Sequence, residues 1–165
     1  MDDLKITTAA PTAEHIRTLL EAFDRYLAKL YPPESGYGLA DEELQSPNVR
    51  FVFVERDDTV IACGAIRLDE DYAEIKRMYV VPELRQQGVG RQLLAHLEAA
   101  AASAGRTLVR LETSVAQPEA IALYDNAGFR RIDAFPPYTP DQRSVFMEKS
   151  VTPLDETLGR AGSFP

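Results

Sequence analysis

The residues best suited to chemistry lie in one run, from Met78 to Leu94. It reads as a strand end, a short loop with two glycines, and the start of an amphipathic helix. Gly88 and Gly90 let the backbone turn tightly and leave no side chain between the loop amides and a ligand. The first N–H groups of a helix have no partner within it, so they form an anion site. Arg85 and Arg91 add positive charge on either side. Together these features form a cradle for a pyrophosphate. The plainer account of the two arginines is solvated charge at a helix end.

Which pyrophosphate it would hold is a separate question. A Walker loop needs a lysine and a hydroxyl after the second glycine, but Arg91-Gln92 stands there. A dinucleotide fingerprint needs a third small residue for close helix packing, and Leu93 occupies that place. Glu112, at the end of the next strand, does sit where a ribose-binding acid would. Against a dinucleotide, the strands before the loop form a meander rather than opening with a βαβ unit. That reading stays open, as does a glycine-containing helix start that binds nothing. Cys63 lies in an apolar strand beside Gly64 with no histidine near in sequence, so it reads as core rather than as a nucleophile. His15 and His96 fall on helices outside any motif. Two scattered histidines and one cysteine offer no metal site.

The elements that must position the loop follow from periodicity. Leu4 to Thr8 can form an edge strand. A helix starting at Pro11-Thr12-Ala13-Glu14 puts Ile16, Leu19, Leu20, Phe23, Leu27 and Leu30 on one face, and Tyr31-Pro32-Pro33 stops it. Leu39 to Leu44 fits a short second helix. Val49 to Glu55, Val60 to Leu68 and Tyr72 to Val81 are strands joined by turns at Asp57-Asp58 and Asp69-Glu70-Asp71. Such short links require an antiparallel meander. After the loop, Val89, Leu93, Leu94, Leu97, Ala100, Ala101 and Ala104 share one helical face, and Gly105 ends that helix. Leu108 to Thr113 is a strand parallel to the one before the helix. Pro118 to Asn126 is a helix closed by Gly128, and strands at Phe129 to Ile132 and Ser144 to Lys149 complete the chain. The order is β-α-α-β-β-β-α-β-α-β-β. It predicts a mixed α/β (α+β) domain with a mostly antiparallel sheet of six to seven strands and about four helices.

The 165 residues suit one domain, taken as 3–150 with a tail at 151–165. Hydrophobic content of 45% with 27% charged residues is that of an ordinary globular protein, not a disordered one. The net charge of −8 makes it a poor general binder of nucleic acid, whose affinity rests on phosphate contacts. The opening Met1-Asp2-Asp3 does not resemble a signal peptide, and no apolar run is long enough to span a bilayer. A lone cysteine excludes an internal disulfide. A cytoplasmic location is expected.

Five segments, in order, resemble the GCN5-related N-acetyltransferase (GNAT) superfamily. Arg85-Gln86-Gln87-Gly88-Val89-Gly90 matches its Gln/Arg-x-x-Gly-x-Gly/Ala loop. Ala73 to Val80 is similar to its central strand, and Val81-Pro82-Glu83 to the lead into the loop. Ala120 to Phe129 is similar to its A-x-x-L-Y-x-x-x-G-F segment, and Ser144 to Lys149 to the closing strand. Phe135-Pro136-Pro137-Tyr138 resembles a bacterial subgroup that includes indole-acetate acetyltransferase-like members. The resemblance covers residues 3–150 and implies acetyl-CoA as cosubstrate. It implies that amides of Gln86, Gln87, Gly88, Val89, Gly90 and Arg91, with Arg85 at the entrance, hold the pyrophosphate. It further implies backbone contacts from Met78 and Val80 to the pantetheine, with the Met78 amide at the oxyanion.

By the same resemblance Tyr124 is the acid for the leaving thiolate, and Glu74 takes the family position of a base. An attacking alkyl ammonium, with a pKa near ~10.4, must lose a proton to such a group or to a water chain. Gln117-Pro118 departs from the asparagine the family often carries before this helix; glutamine offers the same amide on a longer arm. The acceptor pocket is expected from Tyr31 to Leu39 and Phe135 to Thr139, with Ser35, Tyr37 and Tyr138 as substrate contacts. Aromatic and polar groups of that kind suit a small organic amine or amino acid. The expected activity is acetyl transfer from acetyl-CoA to a small-molecule primary amine. A CoA-binding module without turnover and a protein or peptide acetyltransferase are the alternatives, and a homodimer is compatible with the fold.

Overall fold

In the computed structural model, residues 4–8, 14–30 and 46–152 are described. The expected helix from Leu39 to Leu44 and the tail beyond residue 152 lie outside the described residues. Seven strands form one sheet: β1 (Lys5–Thr8), β2 (Val49–Arg56), β3 (Thr59–Leu68), β4 (Ala73–Val80), β5 (Leu108–Ser114), β6 (Arg130–Ile132) and β7 (Ser144–Ser150). Three α-helices are described: α1 (Glu14–Leu30), α2 (Val89–Ser103) and α3 (Pro118–Asn126). A single 3-10 turn, Pro82–Leu84, joins β4 to the glycine loop.

The strand order across the sheet is β1-β2-β3-β4-β5-β7-β6. Every pairing is antiparallel except β4 with β5. Asp57 and Asp58 both have positive φ (51° and 64°), the geometry of a two-residue turn whose twist matches the β2–β3 hairpin. The parallel β4–β5 pair is reached through α2, as a crossover requires.

Helices cover both faces. The apolar stripe of α2 (Val89, Leu93, Leu94, Leu97 and Ala101) packs with Tyr124 of α3 and with Ile75, Val109 and Leu111 of the sheet. On the other face Leu19, Leu20 and Phe23 of α1 meet Phe51, Phe53, Cys63 and Tyr79. Each face therefore buries an aliphatic or aromatic stripe whose period matches its element.

Two local features aim the site. β4 pairs with β5 for only three residues, Ala73, Glu74 and Ile75 against Val109, Arg110 and Leu111, after which the strands part. At the same level the β3–β4 register slips: Lys76 lies opposite Ala65 and Tyr79 opposite Cys63. Two residues of β4, Arg77 and Met78, thus face Gly64 alone, which is a β-bulge. Arg77 takes the left-handed conformation there (φ 60°), a cost of roughly 1–2 kcal/mol for a residue with a Cβ.

α3 is closed by a Schellman turn. Gly128 (φ 97°) donates to the carbonyl of Asp125 at 3.1 Å and Phe129 to that of Tyr124 at 3.0 Å. The Phe129 ring then packs edge-on against Tyr124 at 5.8 Å, fixing that side chain. A Cβ at Gly128 would make only ordinary contact with Lys149, at 3.6 Å, so the glycine serves the backbone rather than space. Gly128→Ala should therefore lower stability by ~1–2 kcal/mol, read from urea unfolding; an unchanged midpoint would show that the helix end does not need the left-handed residue.

Candidate active site

The glycine loop has the geometry its residue types require. Gly88 caps α2 in the left-handed region (φ 89°), and a Cβ there would meet nothing within 4 Å. Gly90 lies in the first turn of α2, where a Cβ would come within 3.3 Å of the Leu123 Cδ2 atom. One glycine thus turns the chain, and the other lets α2 approach α3. No side chain caps α2 and no acidic residue stands in its first turn. Its positive end is left for an anion. Arg91 is exposed beside it and has no side-chain partner among the described residues.

A cavity of about 710 Å³ opens in front of that end. Met78, Tyr79 and Val80 of β4 form one wall. Arg85, Gln86, Gly88, Gly90 and Arg91 form the floor, and Gln117, Leu123 and Tyr124 face them. Nine of the twelve expected catalytic and cofactor residues line this cavity. Met78, Val80, Arg85, Gln86, Gly88, Gly90, Arg91, Gln117 and Tyr124 line it, whereas Glu74 does not. The other two keep their side chains away: Gln87 donates to the Glu83 carbonyl at 3.3 Å, and Val89 is buried in the core. Their place in the loop concerns the main chain alone. Glu119 is not among the expected residues; it also lines the cavity, and its carboxylate accepts from Gln86 Nε2 at 3.4 Å.

The Val81 N–H donates to the Ile61 carbonyl of β3 at 3.0 Å. Backbone groups alternate along a strand, so those of Val80 and Met78 turn away from β3, toward the side that β5 has left. Arg85 Nε donates to the Val80 carbonyl at 2.8 Å, and its guanidinium stacks on Tyr79 at 5.4 Å. Arg85 thus ties the loop entrance to the end of β4.

Tyr124 is 5% exposed and its ring packs in the core, yet it reaches the cavity. Its hydroxyl has no hydrogen-bond partner among the described residues. Burial, and to a lesser degree the Glu112 carboxylate, push its pKa above the usual phenol value. It therefore remains a proton-bearing donor across the neutral range. Glu112 itself accepts from Ser144 Oγ at 2.8 Å and does not line the cavity.

On the opposite face of the sheet, Glu74 and Tyr138 come together. Glu74 is fully buried, and both of its oxygens are engaged. Oε1 accepts from Arg67 at 2.8 Å, and Oε2 accepts from the Tyr138 hydroxyl at 2.5 Å. Lys76 Nζ lies 3.4 Å from Oε2 and donates to the Tyr138 oxygen at 2.5 Å. Burial first, and then the Glu74 carboxylate, hold the Tyr138 phenol well above its ordinary pKa. Ser35 and Tyr37 lie outside the described residues.

Cys63 is fully buried, its thiol directed at the Arg77 carbonyl at 3.5 Å, and burial pushes its pKa up to about 12. It is core. Among the described residues no cluster of His, Cys, Asp and Glu could hold a metal, and no helix is long and apolar enough to cross a membrane.

Comparison with known proteins agrees with this geometry. Residues 16–129 match the model of the Acetyltransferase (GNAT) family. The IAA acetyltransferase of Azospirillum brasilense is 42% identical over 90% of this chain and 99% of its own length. The N-acetyltransferase YsnE of Bacillus subtilis is 33% identical over 85% of this chain and 95% of its own. A solved structure from Klebsiella pneumoniae, assigned to the acyl-CoA N-acyltransferases, superposes with a TM-score of 0.75 at 37% identity, over 89% of this chain and 97% of that one.

The loop assignment has a direct test. Gly88→Asp adds a carboxylate at the anion site on a Cβ that would meet nothing within 4 Å, at a left-handed position that aspartate tolerates better than most residues. CoA affinity, measured by calorimetry, should fall ~100-fold or more through lost amide access and charge repulsion. Retained affinity in a folded variant would place the pyrophosphate elsewhere.

Proposed function

We propose that this chain, which belongs to the Acetyltransferase (GNAT) family, transfers an acetyl group from acetyl-CoA to a primary amine of a small molecule. The observation that carries this reading is the Tyr124 hydroxyl. It stands unpartnered in a cavity bounded by an open helix N-terminus and a strand whose pairing partner has left it.

In this reading the loop amides and Arg91 hold the pyrophosphate of acetyl-CoA. Met78 and Val80 offer main-chain groups to the pantetheine, which runs where β5 no longer pairs. The amine nitrogen attacks the thioester carbonyl carbon, and the Met78 N–H donates to the oxyanion that forms. When the C–S bond breaks, Tyr124 donates its proton to the departing sulfur. Desolvation, which raises the Tyr124 pKa, acts on a buried thiolate as well and raises the proton affinity of the acceptor.

The proton of the attacking ammonium has a short path at the acceptor face. Glu74 has no exposed oxygen, so it works through Tyr138. As the phenol oxygen receives a proton from nitrogen, its own proton passes to Glu74 Oε2 at 2.5 Å. Tyr138 therefore never becomes a phenolate, in keeping with its raised pKa. Tyr138 also supplies an aromatic edge to the acceptor. Similarity to the Azospirillum brasilense IAA acetyltransferase along nearly its whole length supports a small-molecule acceptor over a protein one.

Tyr124→Phe tests the chemistry. Thiol release from acetyl-CoA, followed across an amine panel, should fall ~10²–10⁴-fold in kcat with little change in KM for acetyl-CoA. Because the Tyr124 pKa is raised, the wild-type rate should show no alkaline loss from this group below the ordinary phenol pKa of ~10. Equal rates for the two proteins would remove Tyr124 from the mechanism. Tight CoA binding without turnover on any amine would favour a binding module instead.

A further inference from the structure

The bulge in β4 decides which way the site's amides point, and it is held from outside the cavity. Before the bulge, Ile75 faces α2 while Glu74 and Lys76 face the other side of the sheet. A regular strand would send Arg77 to the α2 face. Instead Arg77 is buried on the α1 side, next to Lys76 in sequence and on the same face. After it, Met78 and Val80 pack toward α2 and Tyr79 toward α1. The alternation has jumped by one residue, and the backbone groups have jumped with it. Without the jump, Met78 and Val80 would present their N–H groups to β3.

Arg77 is an unlikely residue for this turn, because glycine takes φ 60° without strain. Such a conformation persists only where the surroundings over-determine it. Here Arg77 Nη1 is bonded to Asp24 Oδ1 of α1. Its guanidinium lies 5.4 Å from the centre of the Phe23 ring, and its carbonyl accepts from the Cys63 thiol. Opposite it, Gly64 leaves room for Leu97, whose Cδ1 would come within 3.0 Å of a Cβ there. The Arg77 side chain is 5% exposed and that of Asp24 56%, so a helix on the surface reaches in to anchor a buried strand residue.

We propose that Asp24 and Arg77 are a positioning pair: α1 grips the bulge and thereby aims the Met78 amide at the acyl carbonyl. The proposal rests on the acetyltransferase reading above, and it adds a role for α1 that the cavity lining does not contain. Neither residue lines the cavity, so the pyrophosphate site should not depend on them.

The test needs no knowledge of the amine. Isotope-edited infrared difference spectra of bound [1-¹³C]acetyl-CoA report hydrogen bonding to the carbonyl, and CoA affinity is measured alongside. In the wild type the carbonyl stretch should be red-shifted from its value in water. In Asp24→Asn, and in Arg77→Gly, which keeps the left-handed backbone without the guanidinium, that shift should be lost while CoA affinity is kept. The exchanged pair, Asp24→Arg with Arg77→Asp, should recover it, since aspartate tolerates the left-handed region. An unaltered shift in both single variants overturns the pair. Loss of the shift together with CoA affinity and melting temperature also overturns it, by showing a merely structural contact. A wild type that binds CoA but shows no shift does so too. Failure of the wild type to bind acetyl-CoA at all would instead strike the acetyltransferase reading, and this inference with it.

Discussion

Everything at this site depends on β4 and β5 pairing for three residues and then parting. A buried strand that loses its neighbour leaves N–H and C=O groups facing a gap, and such groups are costly unless something bonds them. Arg85 meets one, the Val80 carbonyl. The rest of the open edge faces a cavity of about 710 Å³ whose floor is an uncapped helix end. A ligand with an extended amide chain at one end and a diphosphate at the other satisfies both needs at once. The chemistry of the gap thus selects acetyl-CoA more sharply than the glycines alone could.

Around that gap the polar groups fall into two sets with different roles. Tyr124 has its ring in the core and its hydroxyl without a partner, so it is ready to donate. The Arg67–Glu74–Lys76–Tyr138 group is internally satisfied: every charge has an opposite neighbour within hydrogen-bonding reach. Breaking such a buried set by removing one member is expensive, because the remaining charge stays buried. A carboxylate so engaged acts through what it holds, which is why Tyr138 rather than bare Glu74 meets the acceptor in our reading. The same logic applies at the bulge, where the buried Arg77 guanidinium has a half-exposed carboxylate as its anchor.

Much of this was legible in the chain. The β-rich apolar runs between Val49 and Val81, punctuated by acidic turns, and the stripe from Val89 to Ala104 are strong signals, and the sheet and α2 formed where they placed them. Gly88 and Gly128 mark left-handed turns that only a residue without a Cβ takes freely, and both are there. The parting of β4 and β5 has no local signal, since no residue announces that a neighbour will leave; the resemblance pointed to it only through the backbone contacts it implied for Met78 and Val80. Glu74 was placed as a base by resemblance alone; its partners Arg67 and Lys76 are close in sequence, but the long-range contact to Tyr138 has no sequence signature. The bulge did leave a trace: Lys76-Arg77, two consecutive cations in an alternating strand, is where the alternation fails. Ser35 and Tyr37 lie in a stretch that is not described, so the acceptor side rests on Tyr138 and its partners.

Amide hydrogen exchange in the presence of acetyl-CoA tests the central claim most directly, because it reads the open edge of β4 itself. The N–H groups of Met78 and Val80, with those of residues 88–91, should become protected when acetyl-CoA is added and should not respond to NAD. Acetyl-CoA binding that leaves the Met78 and Val80 amides unprotected, or NAD protecting the loop in its place, would contradict the account.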